Sequence, residues 1–151
     1  MTKRFILFRQ VHSIVPLIYV IIITGKKLIA ENAKRLGVSP LDILEEDINS
    51  LLVTNHINSI SNANRIIIGG CDKNTKLRII TELSKNMNPG GIIAIPVIDI
   101  QLIKDLKEAL TENNFLVSLN LIQTYKSLSI SEGLRLEPNN PVFLIRGKKL
   151  N

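Results

Sequence analysis

The strongest constraint on the fold is a series of uninterrupted Ile, Leu and Val runs that alternate with amphipathic stretches. The clearest runs are "LIYVIII", "RIIIGG" and "IIAIPVI", which end at threonine, glycine or aspartate. A strand that is apolar at every position is buried on both faces, which is typical of a parallel sheet covered by helices. The alternation therefore predicts an α/β fold with a mostly parallel sheet.

Three stretches between these runs carry apolar residues at helical spacing. In the first, Leu28, Ile29, Ala33 and Leu36 share one face, and Gly37 ends the helix. The other two are "DKNTKLRIITELSKNMNPGG", which begins with capping residues and stops at Pro-Gly-Gly, and "DIQLIKDLKEALTENN". The segments "RFILF" and "LDIL" predict two further short strands.

The last two strand signals are "FLVSLNLIQ" and "PVFLIRG". The segment between them has no helical periodicity, and a parallel connection needs a crossover, which is usually a helix. We therefore expect these two strands to pair antiparallel at the C-terminal edge of the sheet.

Composition limits the organisation and the partners of the chain. Its 151 residues have room for one domain with a real core, and no linker or repeat divides residues 1–151. The net charge is +6, but the cations are spread along the chain and have no interleaved aromatic residues. We therefore predict no nucleic-acid partner; the basic surface suits an anionic ligand.

Three further classes are disfavoured by the residues present. The apolar run from Ile14 to Ile23 is about half of the roughly 20 residues that cross a bilayer, so we predict no membrane segment. A single cysteine forms no intrachain disulfide and points to the cytoplasm. His12 and His56 have no ligand spacing, and we predict no metal site.

Candidate site residues follow strands, where ligands bind at the carboxyl edge of a parallel sheet. Gly69 and Gly70 indicate either a tight turn or close approach by a ligand. Asp47 is either a charged loop residue or an acceptor for a nucleotide hydroxyl or amine. Cys71 precedes a predicted helix but has no predictable base, which favours a small buried thiol over a nucleophile. Pro96 lies near the end of the next strand.

Four segments together resemble one family in order and spacing. They are "RIIIGGCDKN", "ITELSKNMNPGGIIAIPV", "IKDLKEALTENNF" and "LRLEPNNPVFLIRG". The chain resembles the decarboxylating precorrin methyltransferases of cobalamin synthesis, which methylate C15 of the corrin ring and remove an acetate carboxyl as CO2. The likeness covers about residues 28–147, and residues 1–25 diverge from it.

The resemblance implies a Rossmann-like class I methyltransferase sheet and S-adenosyl-L-methionine (SAM) as cofactor. It places Asp47 and Ile48 at the adenine, and Gly69 and Gly70 at the pocket floor near the transferable methyl. It also implies a corrinoid substrate and a homotetramer. It assigns no catalytic side chain, because an electron-rich corrin carbon attacks the sulfonium methyl and the protein mainly positions the two partners.

Two residues near the family's loop after the sixth strand are further candidates. Tyr125 and Lys126 are positioned to meet carboxylates of the ring, or they are ordinary surface residues.

The N-terminal quarter departs from the family pattern. The family has a glycine-rich loop after its first strand, whereas this chain has no glycine before Gly25. The family also places a carboxylate on the cofactor ribose, and "IIIT" holds none at that place. The expected sheet is therefore incomplete at its N-terminal side. The alternative to an active enzyme is a non-catalytic remnant or binding subunit of the same fold that has lost SAM binding.

Overall fold

The computed structural model describes residues 4–9, 17–22, 26–37, 42–44, 46–53 and 65–151. These ranges contain nine strands and four helices. In chain order they are β1 (Arg4–Arg9), β2 (Leu17–Ile22), α1 (Lys26–Arg35), β3 (Asp42–Leu44), α2 (Ile48–Val53), β4 (Arg65–Gly69), α3 (Lys73–Ser84), β5 (Ile92–Val97), α4 (Leu102–Glu112), β6 (Phe115–Ile122), β7 (Tyr125–Ile130), β8 (Gly133–Pro138) and β9 (Val142–Lys149).

Seven strands form one mixed sheet in the order β3-β2-β1-β4-β5-β9-β6. The pairs β2–β3 and β4–β5 are parallel, and β9 is antiparallel to both β5 and β6. Five strands therefore point one way, and β1 and β9 run against them. The predicted α/β class and the antiparallel pairing of β6 with β9 are both confirmed. Strands β7 and β8 form a separate antiparallel hairpin.

The direction of β1 was not foreseen from the sequence. It is antiparallel to both neighbours, so that Arg4 lies opposite Gly69 on one side and opposite Ile22 on the other. Only residues 10–16 connect β1 to β2, and a parallel connection needs a dozen or more residues. The short connection therefore requires the reversed strand. Its consequence is that the carboxyl end of β1 lies at the edge of the sheet opposite to Gly69.

The core lies on one face of the sheet, beneath α3 and α4. Alternate residues of β4 and β5 point to this face and are buried, while their neighbours are less covered. This alternation shows that, in the described part of the chain, helices cover one face better than the other. The largest fully buried side chains are Ile68, Ile79, Ile80, Ile93, Ile95 and Leu106.

The predicted ends of α3 follow from local chemistry. The side chain of Asp72 accepts a bond from the Thr75 backbone N–H at 3.0 Å, which caps the helix. Beyond the helix, Gly91 packs so closely on Met87 that a Cβ at position 91 would lie 2.5 Å from Met87 Cγ. The Pro-Gly-Gly turn is therefore required by packing as well as by chain reversal.

The helix α1 forms where expected, but it does not pack as expected. None of its residues is buried: within the predicted apolar face, Leu28 is 55% exposed and Leu36 is 74% exposed, while Ile29 and Ala33 are half-buried. Gly37 ends it with a φ of +66°, as the sequence predicts. Two elements were not predicted, namely α2 and the β7–β8 hairpin.

Candidate active site at the carboxyl edge

The carboxyl ends of β3 and β4 lie at the same edge of the sheet, because both strands run parallel to β2. Asp47 and Ile48 follow β3, and Gly69 and Gly70 end β4. Ile48 is buried in the same core cluster as Ile66, Ile68 and Cys71. β3 and β4 are three strand spacings apart in the sheet, and the segment after β3 approaches the later elements through Ile48 in this cluster.

A hydrogen-bonded network joins the segment after β3 to the segment after β4. The Thr75 hydroxyl lies 2.6 Å from Asp72 Oδ2 and 3.4 Å from Asn49 Oδ1. A hydroxyl has one proton, so the shorter contact with the Asp72 carboxylate takes it, and the Asn49 contact is the weaker one. The starts of α2 and α3 are thereby held next to each other.

Asp47 also has a local structural role. Its Oδ1 accepts a bond from the Asn49 backbone N–H at 2.8 Å, and its carbonyl accepts one from the Ser50 N–H at 3.0 Å. One carboxylate oxygen accepts several bonds, and the side chain is half-buried rather than enclosed. Asp47 can therefore hold the start of α2 and still accept from a ligand.

The two glycines differ in backbone conformation. Gly70 has a φ of +70°, which a residue with a Cβ adopts only at a cost. Gly69 lies in β4 with an ordinary strand conformation and pairs with Arg4. The turn alone explains why residue 70 is glycine, whereas it does not explain residue 69. Gly69 is thus the position at which the turn does not account for the missing side chain.

Cys71 is buried and belongs to the core cluster. The buried Lys76 donates a hydrogen bond from Nζ to the Cys71 carbonyl, and this bond stabilises the turn after Gly70. This surrounding favours the reading of Cys71 as a packed thiol, and Lys76 is a positioning residue that the sequence pattern did not reveal.

The direction of β1 changes where a loop after the first strand starts. Because β1 is reversed, its amino end, Arg4, lies beside Gly69 at the carboxyl edge, and its carboxyl end lies at the far edge. A loop that follows β1 therefore starts away from the candidate site. Residues 10–16 and 23–25 lie outside the described residues. They include half of the segment 21–24, which corresponds to the position of the ribose carboxylate in the family.

Tyr125 and Lys126 begin β7, just beyond the carboxyl end of β6. This end lies at the same edge as Gly69, but β6 is three strand spacings from β4, roughly 14 Å away. Lys126 Nζ forms an ion pair with Glu137 Oε2 at 2.8 Å across the hairpin. The structure thus does not bring these two residues next to the glycines.

Two apolar side chains at this edge were missed by the sequence analysis. Ile98 and Ile100 follow β5 and are exposed on either side of Asp99, whose carboxylate accepts a bond from the Gln101 N–H at 2.9 Å. In the sequence they continue the apolar patterns of β5 and α4, so only their exposure in the structure distinguishes them from core residues. Exposed isoleucines beside the carboxyl edge suit contact with a large apolar ligand.

Neither a metal-binding cluster nor a membrane-spanning helix is found among the residues that the structure describes. No cluster of three or more His, Cys, Asp or Glu residues could hold a metal ion. No helix in the described ranges is long and apolar enough to span a membrane.

Comparison with known proteins gives matches among solved structures, while no protein-family model and no curated protein matches the chain. A precorrin-6Y C5,15-methyltransferase from Geobacter metallireducens is 19% identical, with a TM-score of 0.66 over 82% of this chain and 62% of that one. A precorrin-8W decarboxylase from Methanobacterium thermoautotrophicum is 20% identical, with a TM-score of 0.71 over 85% and 68%. A tRNA (m1A58) methyltransferase from Aquifex aeolicus is 14% identical, with a TM-score of 0.59 over 88% and 53%.

This chain spans less than two thirds of the length of the Geobacter structure. At identities of 20% or less, the likeness is one of fold, and in that respect it confirms the predicted resemblance. The chain has the Rossmann-like α/β fold of class I SAM-dependent methyltransferases, the fold that the precorrin methyltransferase structures share.

Proposed function

We propose that this chain is a SAM-dependent methyltransferase domain that acts on a corrinoid precursor. The observation that carries the proposal is that Asp47 and Ile48 after β3 and Gly69 and Gly70 at the end of β4 lie at the same carboxyl edge, with Ile48 in the core cluster and Asn49 next to Thr75. Ligands of open α/β sheets bind at this edge, near the point where the strand order reverses. The likeness of fold to precorrin enzymes supports the substrate class.

The residues present fit one half of the cofactor. In the proposed site, Asp47 accepts from the adenosine part, the backbone of Ile48 contacts the base, and the absence of a side chain at Gly69 leaves room beside it. When bound, SAM supplies a methyl group activated by a sulfonium. For the methionine half, the reversed β1 offers no glycine loop at this edge, so no residue is assigned there.

The finer parts of the proposal come from the family resemblance. They are methylation at C15 with loss of a carboxyl as CO2, contact of the ring carboxylates with Tyr125 and Lys126, a cytoplasmic setting, and assembly as a homotetramer. Exposed apolar residues on the β7–β8 hairpin support an assembly, because large exposed patches mark interaction surfaces. The most exposed of these are Leu134 and Leu136.

A second candidate function is a non-catalytic subunit that keeps the fold but does not bind SAM. The reversed β1 specifically favours it, since that strand turns the place of the methionine-binding loop away from the site. The two candidates differ in one measurable quantity, which is the affinity for SAM.

Calorimetric titration with SAM tests the proposal directly. A methyltransferase binds SAM in the micromolar to submillimolar range, and an absence of both heat and thermal shift at millimolar SAM would leave only the non-catalytic subunit. Adenosine serves as a second probe. Binding of adenosine as tight as that of SAM would mean that the methionine half contributes nothing to affinity.

A matched pair of variants tests the location of the site. Gly69→Val suits a strand backbone but fills the space left beside the pocket, so we expect SAM affinity to fall by at least about tenfold. Gly70→Val should lower it as well, with additional backbone strain from the positive φ. Cys71→Ser, the adjacent control, should leave affinity within about twofold, because no thiol chemistry is required. Equal losses in Gly69→Val and Cys71→Ser would place the site elsewhere.

A further inference from the structure

The sheet has a second face, which α3 and α4 leave uncovered across β4, β5, β9 and β6. We call the outer face the side of β4, β5, β9 and β6 that points away from α3 and α4. Its centre is apolar and only partly covered, with Ile67 37% exposed even though it lies on an interior strand. The other central residues are Ile92, Ala94, Pro96 and Leu144, all half-buried.

The register shows that these side chains form one continuous surface. Ala94 lies opposite Ile67 on one side and Arg146 on the other, and Pro96 lies opposite Leu144. Towards the sheet edge, Val142 pairs with Ile122, which is exposed. An α/β sheet of this kind is normally covered on both faces, so the apolar outer face of these described strands is suited to a covering layer.

The charges on this face are all of one sign. Arg65, Arg146 and Lys148 lie on it, and all three are exposed. The four strands that build the face contain no aspartate or glutamate at all. Arg65 also donates to the Gly90 carbonyl at 3.3 Å, which holds that cation at the rim of the face.

We propose that the outer face is a docking surface for an acidic amphipathic helix of a partner polypeptide. Such a helix places apolar side chains on Ile67, Ala94 and Leu144 and its carboxylates near the three cations. The face is about 19 Å wide and about 20 Å long, which fits one or two helices of about 10 Å diameter and about fifteen residues. This inference does not depend on SAM binding.

Charge decides between this occupant and two others. A second copy of this chain packed face to face would bring the cations of the two outer faces together, and like charges at close quarters are repulsive. Nucleic acid would satisfy the cations, but the face has no aromatic residue on which bases can stack. An acidic amphipathic helix satisfies both the apolar centre and the basic rim.

The test uses the full chain and designed peptides of about fifteen residues. One peptide has leucines at helical spacing flanked by glutamates, and the other has lysines in place of the glutamates. Fluorescence anisotropy should give saturable binding of the acidic peptide and none of the basic one. Amide chemical shifts should change at Ile67, Ala94 and Leu144 and not in α3.

A charge-reversing pair of variants checks the location. Arg146→Glu should weaken the acidic peptide by about tenfold or more, because it places a carboxylate under the docked helix. Arg135→Glu makes the same charge change on the exposed β7–β8 hairpin and should alter affinity by less than about twofold. Circular dichroism verifies that each variant is folded, and the comparison of the two peptides on the unmodified chain needs no variant.

Each of the following results would overturn the proposal. They are absence of saturable binding of the acidic peptide at millimolar concentration, equal binding of the basic peptide, and equal loss of affinity in both variants. Salt-sensitive binding of single-stranded RNA that is abolished by Arg146→Glu would assign the face to nucleic acid instead. Concentration-dependent self-association lost in the same variant would assign it to a second copy.

Discussion

The part of the sheet before β4 and the part from β4 onward differ in how completely helices bury their side chains against it. From β4 onward, each connection returns along the same face, and α3 and α4 bury Ile80, Leu106 and Leu110 against the strands. Before β4, a hairpin replaces a crossover, and α1 buries none of its residues. Of the described side chains before residue 65, only Ile48 belongs to the core.

This difference separates what holds the fold from what builds the site. The later side of the sheet supplies all the described core residues except Ile48, the capped helix α3, and Gly69 and Gly70. The earlier side contributes Asp47 and Ile48, and Asn49 contacts Thr75 on the later side. The candidate residues of the adenosine half therefore come from both sides of β1.

A matched pair of leucine substitutions tests this comparison with the largest expected effect. Leu106→Ala removes a fully buried side chain of α4 and should lower the free energy of unfolding by about 2–5 kcal/mol. Leu28→Ala removes an exposed side chain of α1 and should change it by less than about 0.5 kcal/mol. Urea denaturation measures both. If the two variants lost equal stability, α1 would be packed in solution and the contrast between the two sides would be lost.

Close packing around β9 gives the next effect. A Cβ at Gly147 would lie 3.1 Å from Leu110 Cδ2 and 3.2 Å from Phe115 Cδ1, so Gly147→Ala should cost about 1–3 kcal/mol of unfolding free energy. Gly133→Ala is the control, because its nearest neighbour would be 3.9 Å away. Thermal melts of the pair should differ clearly. A neutral Gly147→Ala would mean that α4 is looser on the sheet than described.

The helix caps provide a smaller and more local test. Asp72→Ala removes the bond to the Thr75 N–H and should destabilise the chain by about 1 kcal/mol. Gln101→Ala at the start of α4 removes no side-chain cap and should have a smaller effect. Because Asp72 and Asn49 compete for the one hydroxyl proton of Thr75, the first variant should also free that proton for Asn49 Oδ1 and leave amide exchange at Asn49 no faster. Faster exchange there would mean that the Asp72 side chain itself holds α2 next to α3.

The hairpin carries the smallest expected effect on stability. Lys126→Ala breaks an exposed ion pair with Glu137, which should cost less than about 0.5 kcal/mol. Because the variant stays folded, a loss of corrinoid affinity would then indicate that Lys126 contacts the ligand. Lys85→Ala, which breaks the comparable exposed pair with Glu82 on α3, is the control for stability and should leave corrinoid binding unchanged.

Much of the fold follows from the sequence because apolar runs and caps are local signals. The strands β4, β5, β6 and β9, the cap at Asp72 and the stop at Gly37 could all be predicted from neighbouring residues. The direction of β1 could not be read from its apolar pattern, since a strand looks the same in either direction. Its one signal is the length of the connection, residues 10–16, which is too short for a crossover.

The candidate site residues could be chosen for the same reason. Gly69, Gly70 and Asp47 lie at or after strand ends, and strand ends are visible in the sequence. Their distances from each other depend on the pairing order of the strands, which no local pattern specifies. The role of Lys76 and the exposure of Ile98 depend on packing across elements, and no local pattern carries that information. The apolar face predicted for α1 has the right spacing, but spacing does not specify a surface to cover it.

The position of β9 has a consequence for how the chain folds as it is synthesised. This strand is the last in the sequence, yet it lies between β5 and β6 and pairs with both. When β6 has left the ribosome, its partner β9 is not yet synthesised. The apolar residues of β6 stay unpaired until about twenty more residues have been added. Pairing over such separations is slow and leaves apolar edges exposed in the meantime. A chain stalled before residue 142 is therefore the species most prone to aggregate, and a natural substrate for chaperones.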